Sequence, residues 1–199
     1  MKKLIIPLLI ILVLPLIFQS TPTEILKLKI FDTFVTTPEP SGNFVILNIA
    51  EEDVANEGGW PLPRRTLAQI QVDLINQGAI GVGWVISFPQ ADRMGGDETF
   101  ATTLGYIPSV LAMFENPNGK YPKTTGTVIK GDNPGGMLSQ GVVQNIKILQ
   151  DKSSQGIATA PTDIDNLVRR IPLLLKTPDG YVPAFGTEVL KALTGARTY

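Results

Sequence analysis

The sequence predicts an α/β protein, a single domain with a mixed, partly parallel sheet flanked by helices and preceded by an N-terminal membrane helix. An apolar stretch at residues 4–18 directly follows two lysines. Two more apolar runs have the length of buried strands, Phe44–Ile49 and Ala79–Phe88, and a helical pattern separates them. Strand, helix and strand within about 45 residues indicate a βαβ unit, whose two strands are expected to be parallel with a right-handed crossover.

Residues 1–20 are predicted to be a transmembrane anchor or an uncleaved signal. The charge-free stretch contains two prolines and is shorter than the roughly 20 residues of a spanning helix. Phe18-Gln19-Ser20 is a poor small-x-small cleavage site, so anchor and signal peptide both remain open. Lys2 and Lys3 favour the cytoplasmic side, which predicts the rest of the chain in the periplasm or the extracellular space.

Residues 21–43 follow as a juxtamembrane connector. Ile25, Leu28 and the pair Phe31–Asp32 are spaced as in a short helix. The predicted sensor domain covers residues 44–195 and begins with the strand at Phe44–Ile49.

The first helix of the domain is predicted to begin at Pro63, because proline suits the first helical position. Gly78 is expected to end it. Its apolar positions are Leu67, Ile70, Leu74 and Ile75.

The second half of the domain is predicted from shorter signals. Asp97 can cap a short helix, and Ser109–Phe114 reads as a third strand closed by the turn at residues 116–119. Further strands are predicted at Val142–Ile146, Leu167–Leu175 and Tyr181–Val182, and a final helix at residues 184–193.

Composition excludes several classes of function. A net charge of −1 provides no basic surface for nucleic acid. The chain has neither histidine nor cysteine, which removes imidazole-dependent nucleophiles and most zinc and iron–sulfur sites. We therefore predict no cofactor, no metal and no catalytic residue. The segment from Asp163 to Leu174 resembles the start of a calcium loop but lacks its glycine and its final acid, so a turn is the better interpretation.

Candidate ligand-binding residues lie where the two predicted parallel strands end, because ligands of open α/β sheets bind at that edge. A positive charge at a helix N-terminus needs a partner, so Arg64 and Arg65 are expected to pair with Glu51, Glu52, Glu57 or Asp92. Alternatively both arginines lie over Trp60. For any single residue here, a structural role is the more expected interpretation. The candidates are Glu51, Glu52, Trp60, Arg64, Asp92 and Arg93.

Residues 43–93 resemble the CHASE2 extracytoplasmic sensor domain, through a strand that leads into a Gly-x-Trp-Pro-x-Pro-Arg turn and a helix. The segments "DIDNLVRRIPLLL" and "DGYVPAFGTEVLKAL" are similar to the closing part of that family. The resemblance covers about residues 25–194. It implies that Trp60 packs as a lid over the sheet edge, in a direction fixed by two prolines. The matching motif residues are Trp60, Pro61, Pro63, Arg64, Asp163, Asp165, Arg169, Arg170 and Pro172.

The chain departs from the family pattern at several acidic positions. Asn48 and Ala50 stand where relatives often have aspartates, Gly83-Trp84-Val85 lacks the acid of a Gly-Phe-Asp strand, and Gln90 replaces a usual glutamate. If those carboxylates bind a ligand in relatives, this chain would have lost that ability.

The resemblance implies a non-catalytic sensor for an unknown small molecule or other extracellular stimulus, membrane-tethered and expected to be a homodimer. Such domains belong to receptors with a cyclase or kinase output module, so the chain is expected to be a fragment of one. Two alternatives remain open: an exported enzyme such as a histidine-free hydrolase, and a secreted binding protein released by signal cleavage.

Overall fold

A computed structural model of the chain describes residues 21–122 and 136–196. By its internal contacts, the chain divides into two compact units. Unit 1 is Met1–Asn48 with Pro161–Arg170, and unit 2 is Ile49–Ala160 with Ile171–Tyr199. The membrane segment predicted at residues 1–20 lies outside the described residues. Among the helices that are described, none combines the length and apolar character needed to cross a bilayer.

Unit 1 is built on helix α1, Thr21–Phe34, which confirms the helix predicted in the connector. Leu28 on this helix is buried. The other described residues of the unit, 35–48 and 161–170, have no regular secondary structure. They include a turn in which the Asp163 N–H donates to the Leu167 carbonyl at 2.9 Å, as predicted for that segment.

The strand predicted at Phe44–Ile49 is wrong. These residues have no regular secondary structure, and Phe44 to Leu47 are strongly exposed. An apolar run of strand length carries no information about its partner, so periodicity cannot decide whether it pairs. The parallel βαβ unit of the structure lies one element further along the chain.

Unit 2 contains the remaining elements. The helices are α2 (Glu51–Asn56), α3 (Arg64–Asn76), α4 (Asp97–Leu104), α5 (Lys147–Gln150) and α6 (Phe185–Thr194). The strands are β1 (Val82–Trp84), β2 (Ser109–Lys120), β3 (Met137–Leu138), β4 (Val142–Val143), β5 (Ser154–Ile157), β6 (Leu174–Thr177) and β7 (Gly180–Pro183).

Two small sheets confirm the predicted mixed, partly parallel α/β class. In the first sheet, β2 pairs in parallel with β1 and β5 and antiparallel with β4. The connection from β1 to β2 passes through α4. In the second sheet, β6 pairs in parallel with β3 and antiparallel with β7.

The helix and strand predictions within unit 2 have mixed outcomes. Helices α3, α4 and α6 are confirmed, although α3 begins at Arg64 and Pro63 lies just before it. Strand β1 is shorter than predicted, and only the end of Leu167–Leu175 belongs to β6. The turn at residues 116–119 does not end β2, because Glu115 and Lys120 both pair with Val142 across an irregularity in the register.

The core beneath α3 and α4 is aromatic. Trp84 and Phe88 each meet the Phe100 ring edge-on, with centroids 5.4 Å apart. The buried Trp84 indole N–H donates to Gln71 Oε1 at 2.9 Å, which satisfies its polar atom inside the core. Burying each such side chain contributes roughly 1.5–3 kcal/mol. This core gives the loop after β1 a rigid base.

Candidate functional site

Arg64 lies at the start of α3, and its side chain is almost fully buried. Its guanidinium carbon lies 4.3 Å from the centroid of the Phe88 ring, an arrangement that permits a cation–π interaction. Its Nε lies 3.4 Å from Asp97 Oδ1, close enough for an ion pair. The arginine therefore lies over Phe88, and the alternative that both arginines lie over Trp60 is wrong for Arg64.

Asp92 accepts a hydrogen bond from the backbone at the N-terminus of α3. The Arg64 N–H donates to Asp92 Oδ2 at 3.0 Å, and the Met94 N–H donates to Asp92 Oδ1 at 3.0 Å. The Asp92 N–H in turn donates to Asp97 Oδ2 at 2.8 Å. A carboxylate at this position satisfies a helix N–H that has no partner within the helix and favours the positive end of the helix dipole. Asp92 thus contacts Arg64 through its backbone N–H, whereas the ionic contact of the guanidinium is with Asp97, which was not among the expected partners.

Gly96 allows this loop to approach α3. A Cβ at residue 96 would lie 2.7 Å from the Arg65 backbone nitrogen and 2.8 Å from Arg64 Cβ. Such distances are too short for any side chain, so glycine is required by close backbone approach. The loop from Gln90 to Asp97 is therefore fixed against the first turn of α3.

Phe88 beneath Arg64 is itself held in place. Its N–H donates to the buried Asn145 Oδ1 at 2.6 Å, and its carbonyl accepts from the Ile146 N–H at 2.8 Å. Asn145 Nδ2 also donates to the Ala112 carbonyl on β2 at 3.1 Å. These bonds tie the end of the β1 segment to β2 and to the start of α5.

The electrostatics of this site favour binding over acid–base chemistry. Burial lowers the pKa of Arg64, and Asp97 and Asp92 oppose that effect. For Asp92, burial acts to raise the pKa, but the backbone N–H groups of Met94, Arg64 and Gly96 outweigh it, so the pKa is lowered. A carboxylate with a lowered pKa is a weak general base near neutral pH.

The other four candidate residues are exposed. Glu51 and Glu52 lie in the first turn of α2, and Arg93 follows Asp92 on the loop. Trp60 is 59% exposed and precedes Pro61 through a cis peptide bond. The prediction that Trp60 packs as a lid over the sheet edge is therefore wrong. Leu62, between Pro61 and Pro63, is the side chain of this turn that enters the core.

A second charged cluster, the Arg169 cluster, lies in unit 1 and comprises Asp32, Asp163, Asp165 and Arg169. Arg169 donates two hydrogen bonds to Asp32, both at 2.8 Å, and two to Asp165, both at 2.7 Å. A fifth reaches Asp163 Oδ2 at 3.1 Å. Only 6% of the Arg169 side chain is exposed. Paired, parallel bonds of this kind are among the strongest charged contacts in proteins.

Hydrogen bonds within the Arg169 cluster shift the pKa values of Arg169, Asp32 and Asp165. Hydrogen bonding to Asp32 and Asp165 raises the pKa of Arg169. The bond from Arg169 lowers the pKa of Asp32, and the same kind of bond lowers the pKa of Asp165 to about 2. Arg170 is 72% exposed and adds only a 3.4 Å contact with Asp163. Pro172, the last residue of the predicted motif, belongs to unit 2 and precedes β6.

The comparison with family models decides which family this is. The CHASE2 domain model matches residues 8–198, nearly the whole chain. The chain belongs to the CHASE2 family. Members of this family are extracytoplasmic sensory domains, which is consistent with a sensor role and with a non-catalytic chain. Neither the search of curated proteins nor that of solved structures gave a significant match.

This CHASE2 domain also has a shallow open groove of about 530 Å³, lined by residues 104–109, residues 151–154 and Ala192. Strands β2 and β5 begin in this lining, so the groove lies at the amino ends of the strands. It contains none of the six candidate ligand-binding residues. Ligands of open α/β sheets are expected at the other end.

Two contacts of the motif residues were not predicted from the sequence: Asp97 beside Arg64, and Asp32 beside Arg169. The prediction that Asp97 caps α4 is wrong, because Gly96 occupies the cap position and Asp97 is the first residue of the helix. Its side chain lies beside Arg64, and its position at the end of a glycine-containing loop was the available signal. Asp32 is separated from Arg169 by 137 residues, and no local pattern could reveal that pair. In the described ranges, no group of three or more acidic side chains is arranged to hold a metal ion.

Proposed function

We propose that the chain is the sensory input domain of a transmembrane signalling receptor, tethered by residues 1–20 and placed in the periplasm or the extracellular space. The observation that carries the proposal is the CHASE2 match over residues 8–198. The sequence supports the tether, because Lys2 and Lys3 precede fifteen residues without a charge. In a longer parent protein, the output module would be a cyclase or a protein kinase.

The stimulus is proposed to bind at the four exposed candidate side chains, which precede α3 along the chain or lie on the loop that contacts its first turn. Trp60 offers an exposed ring and Arg93 an exposed guanidinium, whereas Glu51 and Glu52 add negative charge. Asp92 accepts from the Arg64 backbone N–H, and the Arg64 side chain contacts Asp97 and Phe88, so both residues are proposed to support this surface. Binding would stabilise one of two conformations, and a complete shift needs about 5 kcal/mol of differential affinity. The receptor is proposed to act as a homodimer.

A topology experiment tests this proposal, and the lack of cysteine in the natural sequence makes it clean. Thr102 is exposed on α4, so a Thr102→Cys variant offers one reactive thiol. A membrane-impermeant maleimide applied to intact cells should label it, in protein that stays in the membrane fraction with Met1 to Ser20 attached. The chain without this substitution, which contains no cysteine, serves as the unlabelled control. Labelling of Thr102→Cys only after lysis would place the domain in the cytoplasm and refute the proposal.

Ligand contact is tested separately from topology. Trp60→Ala and Arg93→Ala should each abolish the response of a receptor carrying this domain while leaving unfolding unchanged, because both side chains are exposed. Arg65→Ala is the matched control, since it removes an exposed arginine one position from the site. A normal response in both Trp60→Ala and Arg93→Ala would exclude this surface.

A further inference from the structure

Residues Phe44–Leu47 form an exposed segment that pairs with no strand among the described residues, which we call the apolar segment. The exposed fractions of its four side chains are 64%, 91%, 94% and 61%. Phenylalanine, valine and isoleucine favour strands, yet these residues have no regular secondary structure. Four consecutive large apolar side chains in water are a site for association.

Strand β1 of unit 2 offers a matching edge. It pairs with β2 on one side, and the described residues provide no strand on its other side. The Val82 N–H donates to the Pro108 carbonyl at 3.0 Å, toward β2. Backbone groups alternate along a strand, so those of Gly83 point to the open side. Ile80 and Val85 flank this edge and are 77% and 61% exposed.

We propose that the apolar segment of one chain adds as a strand to the β1 edge of a second copy of the same chain. The chain carries both halves of the contact, a strand donor and an open strand edge. Two copies can therefore exchange segments reciprocally, which uses both halves and closes a two-fold dimer. The added strand pairs the open backbone groups of β1 and covers Ile80 and Val85.

The surrounding charge favours a protein occupant over a lipid surface. From residue 30 to residue 63 the chain contains six acidic residues and no lysine or arginine. Binding to an anionic bilayer depends on clustered basic residues. A sheet edge needs only backbone groups and apolar side chains, and the apolar segment has both.

Crosslinking between two differently tagged full-length chains, co-expressed in one membrane, tests the exchange. One chain carries Ile46→Cys and the other carries Ile80→Cys or Val85→Cys, with no native cysteine to interfere. A short bis-maleimide should give a product with both tags. Val45→Asp in the first chain should reduce it at least tenfold. Thr102→Cys in place of the edge cysteine is the matched control and should give none.

Two results would overturn the proposal. The first is a crosslink confined to one chain in the double variant Ile46→Cys/Val85→Cys, with no mixed-tag product; the second is no crosslink of either kind. Ile46 is almost fully exposed, so its substitution should leave thermal unfolding unchanged, which excludes misfolding as the cause. This inference names the interface of the dimer in the proposed function. Its test needs no stimulus or defined topology, so the two can fail separately.

Discussion

Arg64 in unit 2 and Arg169 in unit 1 are both nearly buried beside aspartates, yet they are stabilised in different ways. Arg64 has an aromatic ring at 4.3 Å and one ionic contact at 3.4 Å, and burial lowers its pKa. Arg169 has five hydrogen bonds of 2.7–3.1 Å to three aspartates, and bonding to Asp32 raises its pKa.

Arg64 is therefore part of the core of unit 2, whereas Arg169 links two segments of unit 1. Arg64 is surrounded by groups that belong to the core and to the loop at residues 90–97, so its loss would disturb the fold of unit 2. Arg169 joins helix α1 to a turn 137 residues away through hydrogen bonds between charged groups, so its loss should release α1.

The largest effect is expected for Arg64→Ala. The substitution leaves the carboxylate of Asp97 buried without its ionic partner and opens space above Phe88, so the free energy of unfolding should fall by about 3 kcal/mol. Urea unfolding of the full chain, followed by the fluorescence of buried Trp84, measures it. Arg65→Ala, at an exposed neighbour, should change stability by no more than about 0.5 kcal/mol. Equal effects of the two variants would contradict the assignment of Arg64 to the core.

A smaller loss of stability is expected for Gly96→Ala. The added Cβ would meet the Arg65 backbone nitrogen at 2.7 Å, and backbone cannot move aside as a flexible side chain can. Overpacking of this kind costs about 1–3 kcal/mol. Gly186→Ala is the matched control, since nothing lies within 4 Å of a Cβ at that helical position, and alanine there should be neutral or stabilising. Thermal unfolding of both variants decides the point.

The sequence predicted some elements well because their signals are local. Helix α3 has regular apolar spacing, and Gly78 with its φ of 94° lies just past its end, as expected of a helix-terminating glycine. Helix α6 and strand β7 follow from similarly short patterns. Strand β5 was missed because "SQGI" lacks an apolar run; it forms since β2 lies beside it.

The candidate site was only partly predictable. Helix geometry alone required a partner for Arg64, and Asp92 was among the expected ones. The roles of Asp97 and Phe88 depend on how the loop folds back on α3, which no periodicity encodes. The family resemblance implied that Trp60 packs over the sheet edge, but the buried side chain of that turn is Leu62.

Arg169→Gln should destabilise helix α1 with little change in the global free energy of unfolding. The variant removes both paired contacts to Asp32 and Asp165, so α1 should fray, because an isolated helix of 14 residues is only marginally stable in water. Amide hydrogen exchange in residues 21–34 should speed up several-fold, whereas exchange in α3 should not change. Arg170→Gln, which removes an exposed side chain with one 3.4 Å contact, is the matched control. If the amides of α1 exchange as slowly in Arg169→Gln as in the unsubstituted chain, the Arg169 contacts are not needed to hold the helix.

The smallest effect is expected from acid. Asp165 has a pKa of about 2 in the folded protein, below its ordinary value of 3.8, and the pKa of Asp32 is also lowered. A lowered pKa means that the contribution of these carboxylates to stability is fully present above about pH 4. It is lost progressively as the pH falls toward 2 and the aspartates bind protons. A spin label at Lys27→Cys, on the exposed side of α1, should therefore become more mobile between pH 4 and pH 2. With Arg169→Gln added, the label should be mobile already at pH 5, and no further transition should occur in that window. A transition that persisted in the double variant would assign the acid response to other groups and separate the Arg169 cluster from the behaviour of α1.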